Sequence, residues 1–301
     1  MTPQHATTRA AEVVESLYEH RLLTAAQLHE LHTPGLNPGQ IRRTLAAVRR
    51  RGLADRVFTA RRSTVWFATD AGAEIVRRSD PGRERPRAAM TPELARSALQ
   101  AHTLAVNDVG ISFVATARER GDDCGPLDWS HEVGHRIAES GRSFVVADAV
   151  LRYVLREQGR ETMMYRFLEL ERATRSPLDL AEKLHGYVRL SSYEPPRTQG
   201  SPRRGPVWRE RYPAFPPVLV VFCGQSRARL ERRLATSLAL CTGDPRLKAK
   251  DLAVSFALLE DLVALGPLAP VFYRPDAPHL PVDFLGRPAT AYEPTGTEGD
   301  G

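Results

Sequence analysis

"NPGQIRRTLAAVRRRGLADRVFTARRSTVWFAT", residues 37–69, holds one helix pattern followed by two strand patterns. Asn37 suits an N-cap, Pro38 the first helical position and Gln40 the third, so a helix is predicted from Pro38 to Gly52. At about 100° per residue, Ile41, Leu45 and Val48 share one stripe and face a core. Arg43 and Arg50 lie opposite, with Arg42 and Arg49 to one side. LADRVF and STVWFAT then read as strands joined by the basic turn TARR, which places Arg56, Arg61 and Arg62 along or at the tip of a hairpin.

Outward toward the N-terminus, residues 7–22 space Val13, Val14, Leu17 and Tyr18 as one helix face. Thr24 caps a short second helix, AAQLHEL, with Gln27 completing a capping box. DAGAEIVRR closes the segment as a further helix. Three helices followed by a two-stranded basic hairpin is the order of a winged helix-turn-helix domain, here residues 1–78. Residues 1–63 hold ten Arg and no Lys against five acidic residues, a net charge of +5 within a chain of net +6. A basic segment ahead of a nearly neutral one points to a polyanion. Double-stranded DNA is the expected partner, contacted by Gln40, Arg42, Arg43, Arg49, Arg50, Arg56, Arg61 and Arg62. A homodimer is left open.

Residues 79–92 are polar, charged and proline-containing and read as a linker. From 93 to 274 the patterns run as a long helix (93–120), three strands (LDWSHEV, SFVVADAVLRYVL, TMMYRFLELERAT), a helix (SPLDLAEKLHGYVRL) capped by Ser176, a buried strand (PPVLVVFCG) and another helix. Residues 275–301, rich in Pro, Gly and Thr, are expected to be disordered. The fold class is therefore α/β (α+β): a winged helix followed by an αβββαβ domain.

That order resembles the core of PD-(D/E)XK nucleases, which are restriction-endonuclease-like. The resemblance implies Mg²⁺ or Mn²⁺ held by an Asp on the second strand and an acid on the third, with a lysine activating water. Asp148, Glu169 and Glu171 match the acids and are the candidate metal ligands. The family lysine is missing: two residues after Glu169 stands Glu171, and two after Glu171 stands Ala173. Lys183, at the edge of the next helix's buried stripe, is the substitute, so the candidate catalytic set is Asp148, Glu169, Glu171 and Lys183. The alternative is a set of structural ion pairs in a domain without chemistry.

"AHTLAVNDVGISF", "FLELERATRSPLDLAEKLHGYVRL" and "ALLEDLVALGPLAPVFYR", together with the N-terminal basic segment, make the chain similar to replication-relaxation proteins of actinobacterial plasmids and mobile elements. The resemblance spans most of residues 8–274. It implies DNA-linked work in replication, maintenance or transfer, and supplies no catalytic mechanism.

His131-Glu132-Val133-Gly134-His135 also fits H-E-x-x-H, the core of zinc metalloproteases. That chemistry needs both histidines on one face of a helix. The stretch is short, polar and glycine-broken, and falls at the end of a strand pattern, so the protease is a remote reading. Glu132 instead reads as a further acid near the nuclease-like site. Glu157 and Glu161 are the acids available for a third zinc ligand. Three widely spaced cysteines, no run of eighteen apolar residues and a polar N-terminus lead to the expectation of a reduced, cytoplasmic protein without membrane contact.

Overall fold

The computed structural model describes residues 3–59, 63–79, 90–97, 100–139, 143–174, 176–196, 205–249 and 252–288. The chain divides into two units, Met1–Val133 with Asp148–Met163, and Gly134–Ala147 with Met164–Gly301. Helix and strand are mixed throughout, as the patterns required.

In the first unit, α1 (Pro3–Glu19) buries Val13, Val14, Leu17 and Tyr18. Strand β1 (Leu23–Thr24) leads into α2 (Ala25–His32) through the expected capping box. Thr24 Oγ1 accepts from the Gln27 N–H at 3.1 Å, and Gln27 Oε1 accepts from the Thr24 N–H at 2.9 Å. Helix α3 (Gly39–Arg50) buries Ile41, Leu45 and Val48. It opens one residue later than predicted, with Pro38 rather than Asn37 at the cap position and no side-chain cap bond from Pro38; Asn37 Oδ1 accepts from the Gly39 N–H at 2.7 Å just ahead of the helix.

Strands β2 (Ala54–Phe58) and β3 (Thr64–Ala68) pair antiparallel with Arg56 opposite Trp66, and β1 joins on the far side of β3. Helix α4 (Asp70–Ser79) follows. Gly72 is required there, since a Cβ would lie 2.0 Å from the Leu53 carbonyl oxygen.

The single helix expected over 93–120 is two. α5 (Pro92–Ala95) is one turn with Thr91 as N-cap, and α6 (Gln100–Arg120) carries the length. Ala95 is fully buried against Leu22, Val57, Val65 and Phe67, so packing fixes the first turn on the small sheet and overrides helix propensity. α6 receives the N-terminal helices. Gln27 donates to the Leu104 carbonyl at 2.9 Å and to Asp108 at 2.7 Å, and Arg118 donates to the Glu30 and Leu31 carbonyls.

Strands β4 (Trp129–Arg136), β5 (Phe144–Glu157) and β6 (Arg160–Glu171) each run through residues of both units. α7 (Pro177–Ser192) starts on a second capping box, Ser176 with Asp179. After a 3-10 turn (Val207–Glu210) come β7 (Val218–Phe222), α8 (Arg227–Gly243), α9 (Pro245–Ala249), β8 (Val254–Leu258), α10 (Leu259–Leu265), β9 (Phe272–Arg274) and β10 (Ala277–Val282).

The sheet order is β10-β9-β8-β7-β6-β5-β4. β6, β7 and β8 are parallel, with Glu169 opposite Val220 and Val220 opposite Phe256; β8–β9 and β9–β10 are antiparallel. All five β7 residues are buried, as a central parallel strand requires.

The tail expected from 275 is corrected here, since residues 277–282 form β10. Its prolines, Pro278 and Pro281, are tolerated because β10 is an edge strand. Residues 289–301 lie outside the described residues.

Candidate functional site

The exposed face of α3 follows from its buried stripe. Arg42, Arg43, Ala46, Arg49 and Arg50 are exposed while Ile41, Leu45 and Val48 are inside. Arg42 and Arg49, like Arg43 and Arg50, are seven residues apart, so each pair lines one side of the helix about 10 Å apart. Arg42, Arg43 and Arg50 have no carboxylate partner among the described residues. Arg49 is half engaged, its Nε donating to Asp55 at 2.9 Å, and that contact holds the Asp55 carboxyl below its ordinary range.

Gln40 takes a longer bond from Arg9 at 3.4 Å. On β2, Arg56 lies 5.5 Å from the ring centres of Phe58 and Trp66. A depression of about 510 Å³ separates the end of α3 from the hairpin and is lined by Arg49, Arg50, Arg56 and Trp66. Arg61 and Arg62, expected at the hairpin tip, lie outside the described residues.

The H-E-x-x-H stretch forms β4, a strand, so the helix that zinc chemistry needs is not there. His131 and His135 are both buried. Asn107 Oδ1 accepts from Trp129 Nε1–H at 3.2 Å and stands 2.9 Å from His131 Nε2, so that nitrogen carries its proton and donates. His135 Nε2 lies 2.7 Å from the Tyr212 hydroxyl. Glu157 and Glu161 bond to Arg120 and Arg156.

Asp148 belongs to the first unit and sits half-buried on β5, its Oδ2 3.5 Å from His102 Nε2. Together with Arg21, His131 and Glu132 they line a cavity of about 50 Å³, room for roughly one water molecule. Glu132 thus lines the same small cavity as Asp148. Arg21 and Glu132 both hold left-handed backbone, φ 68° and 52°, and such strain gathers at positions the surrounding structure over-determines. His102 was not singled out from sequence; nothing in its spacing marks it.

Glu169, Glu171 and Lys183 belong to the second unit. The two glutamates share a face of β6 by the two-residue strand period. Glu169 is 3% exposed and is held by both the Lys183 ammonium and the Tyr187 hydroxyl. Lys183 therefore reaches the acid as its boundary position predicted. Glu171 faces Arg233 of α8, with Nη2 3.9 Å from Oε1. Arg233 was missed from sequence although a signal existed, since it lies between Leu230, Leu234 and Ser237 on the stripe that α8 buries.

Among the described residues, no three His, Cys, Asp or Glu side chains gather closely enough to hold a metal ion. The donors of β6 fit a hard cation poorly, because each carboxylate already has a cationic side chain beside it.

The family model described as replication-relaxation matches residues 14–203. The chain belongs to the replication-relaxation family. Membership implies a role in replication or relaxation of plasmids or mobile elements. The match takes in α3, β2, Asp148, Glu169, Glu171 and Lys183, and leaves out β7 to β10. No curated protein and no solved structure matches the chain. In this family member no helix among the described residues is long and apolar enough to cross a membrane, and the three cysteines, all buried, are unbridged.

Proposed function

We propose that this replication-relaxation protein binds double-stranded DNA through α3. In this reading residues 1–78 act as a winged helix-turn-helix, with the exposed guanidinium face entering the major groove and Arg56 and the β2–β3 turn flanking it. The observation that carries the proposal is the pairing state of the arginines. Arg42, Arg43 and Arg50 are exposed on one helix and unpaired among the described residues, so they are available to phosphates and to guanine edges without breaking an internal contact. Plasmid or mobile-element replication, maintenance or transfer is the setting that family membership favours.

The test is a gel-shift titration against salt. Each phosphate contact contributes roughly 0.9 to the slope of log affinity on log salt. Arg43→Ala with Arg50→Ala should lower the slope by about 2 and weaken binding by roughly 50-fold at 0.1 M salt. Unchanged affinity and slope would remove α3 from the interface.

A Mg²⁺- or Mn²⁺-dependent nuclease or nickase is the second reading, favoured by the Glu169–Lys183 contact, an acid beside a lysine at the β6–α7 corner. Against it stand the contact of Glu171 with Arg233 and the lack, among the described residues, of three His, Cys, Asp or Glu side chains close enough to hold a metal. Nicking of supercoiled plasmid that needs Mn²⁺ and disappears in Glu169→Gln would establish it. The absence of nicking would leave Glu169, Glu171, Lys183 and Arg233 as structural charge pairs.

A further inference from the structure

A cavity of about 420 Å³ opens in the second unit at the starts of β7 and β8, mostly beyond the residues that the family model matches. Its wall is mixed. Leu247, Leu252 and Phe284 supply apolar surface, while Arg166, Lys248 and Arg274 supply positive charge. The carboxylate of Asp276 also lines it, and Arg274 already pairs with that group. Two cationic side chains therefore remain without a carboxylate on the wall.

Arg166 is the more informative of the two. Its Nη1 donates to the Tyr165 carbonyl at 2.9 Å and its Nη2 to the Phe284 carbonyl at 3.1 Å. Nε is buried without a partner, and among the described residues no carboxylate lies within ion-pair distance. Nearby Asp283 gives its Oδ1 to the N–H groups of Leu285 and Arg287, and its charge offsets only part of the burial of Arg166. Burial lowers the Arg166 guanidinium to about 10, so it stays charged at neutral pH.

Carbonyl partners account for the position of Arg166 but not for its charge. A purely structural tether to Phe284 could be made by a neutral donor, whereas a desolvated guanidinium is costly unless an anion compensates it. The size of the space and its combination of cations with an apolar wall describe the missing group. We propose that the cavity binds a small phosphorylated molecule of mononucleotide size. Its phosphate would lie toward Arg166 and Lys248, where guanidinium and ammonium give charge-assisted bonds, and its ring against Leu247, Leu252 and Phe284.

Isothermal titration of the full chain with adenosine monophosphate, adenosine and inorganic phosphate tests this. The monophosphate should bind saturably, and adenosine and phosphate about tenfold more weakly or worse. Arg166→Gln should weaken the monophosphate by about tenfold, the equivalent of about 1.4 kcal/mol. Lys248→Glu reverses an exposed charge on α9, where folding is not at risk, and should weaken it at least as much; it carries the test if Arg166→Gln does not fold. Binding of adenosine as tight as that of the monophosphate, binding indifferent to Lys248→Glu, or no binding of any of the three at millimolar concentration would each overturn the proposal. None of these results depends on whether α3 binds DNA.

Discussion

The face of α3 and the β6 carboxylates are both concentrations of charge, and they differ in what their charges already do. On α3, three arginines are exposed and unpaired among the described residues. On β6, Glu169 is 3% exposed and bonded to both Lys183 and Tyr187, and Glu171 faces Arg233. A charge left in water with no internal partner costs the fold little and can be spent on a ligand. A charge enclosed with its partner is held by the fold, and recruiting it for a metal or substrate means breaking that pair. Pairing gives a physical reason for ranking the arginine face first, the order that the sequence reading already favoured.

The first way to sharpen the comparison lies inside the N-terminal unit. Burial, followed by the positive neighbours Arg118 and Arg9, lowers His32 to about 4, and its Nε2 sits 3.0 Å from Ser16 Oγ. The folded state thus binds its proton less readily than the unfolded one. Stability is fully present above pH 6.5 and should fall by roughly 3 kcal/mol as pH drops from 6.5 to 4. Urea titrations across that range check the slope, and His32→Gln should flatten it. If the slope is unchanged, the fold does not hold His32 neutral.

Next, Lys183→Met strands Glu169 beside Tyr187. Lys183 is partly exposed, so the loss should sit near the low end for buried pairs, about 2–3 kcal/mol by chemical denaturation, with DNA affinity unchanged. The reverse is expected of Arg43→Ala with Arg50→Ala: the 50-fold affinity loss comes with a stability change below about 0.5 kcal/mol. A large stability loss in that double variant would break the comparison. The smallest effect belongs to Asp55→Asn. It removes an exposed pair worth under about 1 kcal/mol and frees Arg49, so stability should hardly move while DNA affinity rises slightly.

Legibility from sequence followed the reach of each interaction. The capping boxes at Thr24 and Ser176, the buried stripe of α3 and the strands of the hairpin are local, and periodicity finds them. Lys183 was also accessible, because its angle from Leu180 and Leu184 put it at the edge of a buried stripe. β10 was hidden by Pro278 and Pro281, which read as a tail until an edge position in the sheet explains them. The break between α5 and α6 was hidden because Ala95 is held by residues 28 to 73 positions away. The His102–Asp148 contact and the cavity around Arg166, whose wall runs from residue 166 to 286, join distant positions and leave no local signature.

The central claim is that DNA meets the unpaired charges of α3 and not the paired charges of β6 and α7. Hydrogen–deuterium exchange with and without duplex DNA tests it most directly. The account predicts slowed exchange across Gly39–Phe58 and no change across Glu169–Ser192. Protection confined to Glu169–Ser192, with α3 exchanging as in the free protein, would contradict it.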